Sequence, residues 1–189
     1  MSEAAQELAA LAVEASTCTR CALAETRTQV VFGAGSPTAS VMFVGEAPGF
    51  HEDQQGIPFV GAAGKLLDRQ LDEIGVARDD TYIGNVLKCR PPGNRDPLPE
   101  EVAACRDYLN GQIAVINPRV ICTLGRPALQ TLVDPAASIS RVHGVPREQD
   151  GLLFVPLYHP AAALHRQDLS PTLVEDMRKL QLILEKALA

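Results

Sequence analysis

The sequence predicts an α/β fold in which a mostly parallel sheet is covered by helices on both faces. Two observations carry this. Four short runs, residues 41–44, 81–87, 120–124 and 152–157, are largely apolar, as strands buried on both faces tend to be. Longer stretches with helically spaced apolar residues lie between them, so strand and helix alternate along the chain.

The elements follow in order. Residues 3–15 place Leu8, Leu11, Ala12 and Ala15 on one helical face, and an irregular stretch with Cys18 and Cys21 comes next. Run 41–44 ends in Gly-Glu-Ala-Pro-Gly, a strand entering a loop. Residues 64–75 carry Leu66, Leu67, Gln70, Leu71 and Ile74 at helical spacing. After strand 81–87, residues 90–99 are rich in Pro, Gly and Asn and read as a loop. Pro99 suits a first helical turn, and that helix runs to about residue 116. Strand 120–124 leads into a short helix, about 126–132. Strand 152–157 precedes a last helix, about 171–188. Ligands of such sheets bind beyond the carboxyl ends of the strands. Glu46, Asn85 and His159 all fall there.

A chain of 189 residues fits a single domain, 1–189. Its N-terminal helix and the Cys18/Cys21 loop are expected to pack onto the rest. No apolar run reaches the roughly 18 residues of a membrane span. The N-terminus has no basic start and carries Glu3, Glu7 and Glu14, unlike a secretory signal. Cytoplasmic residence is the expectation. The net charge of −6 weighs mildly against a nucleic-acid partner. A basic face on an acidic protein suffices, however, so local distribution decides.

Five cysteines, an odd number, argue against a disulfide framework. Cys18-x-x-Cys21 is a chelating spacing, and Cys89 and Cys105 form a second pair within reach of a loop and the helix after it. Four thiolates close a tetrahedral zinc site or hold an iron–sulfur cluster, and spacing alone does not choose. Either site would be structural. Cys122, inside strand 120–124, reads as a buried core thiol.

Three loop motifs accompany the cysteines. The first is Gly45-Glu46-Ala47-Pro48-Gly49, continuing through His51-Glu52-Asp53 to Pro58-Phe59-Val60-Gly61. The second runs from Asn85 through Lys88-Cys89-Arg90-Pro91-Pro92-Gly93-Asn94-Arg95. The third is His159-Pro160-Ala161-Ala162. Together, from Cys18 to about Arg166, these resemble the family-4, thermostable-type, iron–sulfur uracil-DNA glycosylases. The resemblance implies an αβα sandwich with a central four-stranded parallel sheet. It implies a 4Fe–4S cluster on Cys18, Cys21, Cys89 and Cys105. It also implies uracil-containing DNA as substrate, with uracil flipped into a pocket made by the three loops. A bacterial or archaeal monomer acting ahead of downstream repair proteins follows.

The chemistry assigns roles to these residues. Breaking the bond between uracil N1 and the sugar C1′ needs an extruded base, a stabilised leaving anion and a placed water. Phe59 offers a face for stacking. The Asn85 amide donates to uracil O4 and accepts from N3–H, a pattern that cytosine reverses. His159 stabilises charge at O2. Glu46, where the best-known uracil glycosylases have Asp, orients or deprotonates water. Glu52 is the candidate for crowding uracil C5 against thymine. Gly45, Gly49 and Gly61 allow close backbone approach to base or phosphate. Lys88, Arg90, Arg95, Arg141, His143, Arg147, His165 and Arg166 are candidates for a basic DNA face, and Leu164 for a wedge into the vacated stack. An iron–sulfur electron carrier would leave the three loops unexplained. A non-catalytic nucleic-acid-binding module would bind DNA without producing abasic sites.

Overall fold

The structure, a computed structural model, describes residues 2–189; Met1, the first residue of the domain expected over 1–189, lies outside them. The described residues form one sheet of six strands: β1 (Ala34–Gly35), β2 (Val41–Gly45), β3 (Tyr82–Asn85), β4 (Val120–Leu124), β5 (Arg147–Gln149) and β6 (Leu152–Leu157). The helices are α1 (Glu3–Ser16), α2 (Phe50–Gln55), α3 (Ala62–Glu73), α4 (Pro99–Ile116), α5 (Arg126–Leu132), α6 (Ile139–Val142), α7 (Pro160–His165) and α8 (Ser170–Ala187).

The sheet order is β1-β3-β2-β4-β6-β5. The four inner strands pair in parallel, as expected from their apolar runs. The expected four-stranded sheet is extended to six by β1 and β5, which add antiparallel edges. These edges are short and lack an apolar run (Arg147, Glu148 and Gln149 in β5), so hydrophobic patterning does not signal them.

Side chains alternate across the sheet and build two cores. Met42, Val44, Ile121 and Phe154 point to one face, where Leu8 of α1 and Leu109 and Ile116 of α4 cover them. Val41, Phe43, Ile83, Val120 and Val155 point to the other, beneath Leu67 and Leu71 of α3 and Met177, Leu180 and Leu184 of α8. The result is an α/β/α sandwich. Because the inner strands are parallel, their carboxyl ends share one edge. The chain turns left to β3 and right to β4 from β2, and this reversal opens a crevice there. No described helix is long and apolar enough to cross a membrane.

Candidate active site

Glu46 follows β2 directly, Asn85 closes β3, and His159 lies just past β6 as the N-cap of α7. Phe59 sits in the turn between α2 and α3. All four line one cavity of about 600 Å³, within the roughly 300–1,000 Å³ of ordinary ligand pockets. Asn85 is buried, and no described residue reaches its Oδ1 with a hydrogen bond. An unpaired buried carbonyl is costly unless a ligand completes it. A Cβ on Gly45 would stand 2.5 Å from that oxygen and 2.7 Å from the Phe59 ring. Gly45 therefore clears room for an amide and a ring to converge, a different task from the backbone approach expected of it. Gly49 and Gly61 do the same for Glu52, whose carboxylate oxygens would meet their Cβ atoms at 2.8 and 3.3 Å.

The His159 Nδ1 accepts the Ala161 N–H at 3.1 Å. In the neutral ring this leaves the proton on Nε2. Burial pushes the His159 pKa down to about 4, against the pull of the Glu52 charge. The imidazole is thus a neutral donor near pH 7. Its ring stacks on Phe59, with centroids 5.4 Å apart and planes 27° off parallel. Glu46 is half-buried, and its pKa is raised by burial and then by Asp96, with Arg126 opposing. Asp96 and Arg126 themselves pair at 3.0 Å.

Phe59 holds φ +53°, left-handed backbone for a non-glycine residue. Such a residue costs about 1–3 kcal/mol and persists only where its surroundings enforce it. Two groups do so here. The Glu52 Oε1 accepts the N–H groups of Val60 at 2.9 Å and Gly61 at 2.8 Å. Arg78 donates to the Pro58 carbonyl at 2.6 Å and the Phe59 carbonyl at 3.2 Å. Glu52 also lines the cavity, yet one of its oxygens is committed to the loop rather than to a base. Nothing in the sequence marks Arg78, because its partners include backbone carbonyls, which leave no trace in residue type.

The basic candidates divide. Lys88 is not on a DNA face: it is buried, with Nζ donating to Asn85 O at 2.8 Å and Gln112 Oε1 at 2.6 Å. Burial lowers its pKa to about 7. The signal was present in its neighbours, since Val86, Leu87 and Cys89 are apolar on either side. Arg95 grips the buried Glu101 through two bonds, at 2.6 and 2.9 Å, while its side chain also reaches the cavity wall. Arg90 is held by Asn94 at 2.7 Å and lies over the Phe50 ring. His143 pairs with the buried Asp176 at 2.7 Å, Arg147 with Asp134 at 3.5 Å, and Arg166 with Asp168 at 2.8 Å. Arg141 is exposed on α6, and His165 lines the cavity. Leu164 is exposed on α7, close along the chain to His159.

Away from the cavity, Cys89 and Cys105 are buried, and Cys18 and Cys21 are partly so. Burial pushes the Cys89 thiol up to about 11, and the charges of Cys105 and Cys21 add to the rise. Cys105 is raised by burial and by Cys21 and Cys18 in the same way. Arg27 Nη1 donates to Cys89 Sγ at 3.5 Å. Among the described residues, no three Cys, His, Asp or Glu side chains group closely enough to share one metal ion. Cys122 is buried in β4, as expected of a core thiol.

A crevice at the carboxyl ends of parallel strands is where a doubly wound α/β fold binds its ligand. A family model of the uracil DNA glycosylase superfamily matches residues 32–181, and the chain belongs to that superfamily. Its relatives narrow the membership to the type-4 uracil-DNA glycosylases. The Sulfurisphaera tokodaii type-4 uracil-DNA glycosylase is 46% identical over 178 residues, 89% of this chain and 80% of that one. The Archaeoglobus fulgidus enzyme is 48% identical over 88% of each chain. The Thermotoga maritima enzyme is 46% identical over 89% of this chain and 90% of that one.

Proposed function

We propose that this protein hydrolyses the N-glycosidic bond of uracil in DNA, releasing the base and leaving an abasic site for repair. One observation carries the reading: the unpaired, buried Asn85 Oδ1 shares a cavity with Phe59, His159 and Glu46. Uracil N3–H completes that acceptor, and the Asn85 NH₂ donates to O4. Cytosine has no hydrogen on N3 and an amino group at C4, so both contacts fail. Phe59 stacks on the extruded ring. As the bond breaks, negative charge grows on uracil O2, where the neutral His159 donates Nε2–H. A donor aimed at a developing anion in a dry site is worth about 3–4 kcal/mol. Glu46 holds the attacking water and balances the cationic sugar. Burial, and then the charge of Asp96, raise its pKa, which makes it a better base once ionised.

For the cofactor, Cys18, Cys21, Cys89 and Cys105 are the residues that would hold a 4Fe–4S cluster. The donor set fits. The four thiols repel one another as thiolates, and Arg27 and Lys88 bring positive charge to them, suited to an anionic thiolate-bound cluster. A cluster, unlike a single ion, would not require the four thiols to converge on one atom. A cluster held there would tie the Cys18–Cys21 loop to the Cys89 loop and α4.

The test is incubation with a single-uracil oligonucleotide, then alkaline cleavage, beside a cytosine control. Cutting at uracil alone is the expected result. Asn85→Asp should lower uracil cutting about 10- to 100-fold, the cost of mispairing a buried polar group. Unchanged selectivity in that variant would remove the proposed role of Asn85.

A further inference from the structure

We propose that Arg78 is a positioning residue for excision, holding Phe59 in the backbone state that presents its ring to the base. The inference rests on the stacking role read for Phe59 above. Phe59 must be forced into its left-handed conformation, and segment 58–61 is pinned from both sides. Glu52 takes its N–H groups, and Arg78 takes the successive carbonyls of Pro58 and Phe59. Asp68 holds the guanidinium through Nη1 at 2.6 Å, the same nitrogen that reaches the Phe59 carbonyl. The Phe59 carbonyl also lies so close to α3 that a Cβ on Gly64 would meet its oxygen at 1.8 Å. Gly64 thus makes room for the carbonyl where Arg78 holds it.

The geometry is specific to arginine. A planar fork reaches two adjacent carbonyls and a carboxylate together, whereas an ammonium is a compact point charge. Without the fork, the 58–59 backbone relaxes toward ordinary φ, and the ring leaves both the base and His159. Arg78 lies outside the residues lining the cavity, so it acts through the loop that carries Phe59.

Arg78→Lys should therefore lower kcat/KM about 10- to 100-fold, the scale of an ångström-sized misplacement. Free uracil should inhibit the variant more weakly. Arg78→Ala should regain rate when guanidinium ion is added at millimolar concentration, which separates the lost clamp from misfolding. In a Phe59→Ala background, Arg78→Lys should cost little more. Wild-type rates in Phe59→Ala would overturn the stacking reading, and this inference with it. A slow Phe59→Ala beside a wild-type Arg78→Lys would overturn the clamp alone. Losses that multiply in the double variant, with no guanidinium rescue, would also overturn it.

Discussion

The uracil cavity and the cysteine site grow from one stretch, residues 82–89, which contributes Asn85 to the first and Cys89 to the second. Both bury polar groups, yet they treat them oppositely. The cavity leaves an amide oxygen unpaired and keeps an imidazole neutral. Its groups wait for a visitor that comes and goes. The cysteine site gathers thiols whose charges, once ionised, would repel one another. Lys88 joins the two regions: its Nζ holds the Asn85 carbonyl, and its charge acts on Cys105. The contrast separates chemistry from scaffolding, and substitutions should separate them too.

The largest effect belongs to the cavity. His159→Ala should slow excision about 100- to 1,000-fold, the loss of one donor to a developing anion. DNA binding should persist in a gel-shift assay; a loss confined to binding would make His159 a contact rather than a catalyst. Next comes the cysteine site. Cys89→Ala should abolish the visible absorbance expected of the proposed cluster and lower the melting temperature by roughly 5–10 °C, at about 2–4 °C per kcal/mol. Below that melting point the preference for uracil over cytosine should be unchanged. A lost preference would show that the two regions are not separable.

The smallest effect is a shift in pH. The acid limb of kcat/KM should follow Glu46, above the ordinary carboxylate range. Asp96→Asn removes a negative neighbour and should move the limb to lower pH; Arg126→Gln should move it higher. Burial holds His159 lower, at about 4. Its share of folding stability is complete above pH 6.5. That share falls as pH drops toward 4, because only the unfolded ring takes up the proton there. Thermal melts across pH 4–7 read this directly.

Much of this was legible in advance where apolar runs are continuous. β4 and β6 match runs 120–124 and 152–157, and Pro99 marks the start of α4. The residues at the strand ends fell on one cavity because parallel strands send their carboxyl ends to one edge. Other features left little trace. β1 is two residues long and β5 is polar. A lysine reads as surface until its apolar neighbours are weighed. The fork of Arg78 grips atoms that every residue possesses, so nothing in residue type distinguishes its target.

The sheet margins have a consequence of their own. β1 ends at Gly35, where a Cβ would strike the Thr81 carbonyl at 2.0 Å, and β5 exposes Arg147 and Glu148. A neighbouring molecule seeking to prolong the sheet meets a two-residue stub on one side and charged side chains on the other. Such borders discourage edge-to-edge aggregation. Crowded copies should stay in solution, each with its crevice open to a DNA strand.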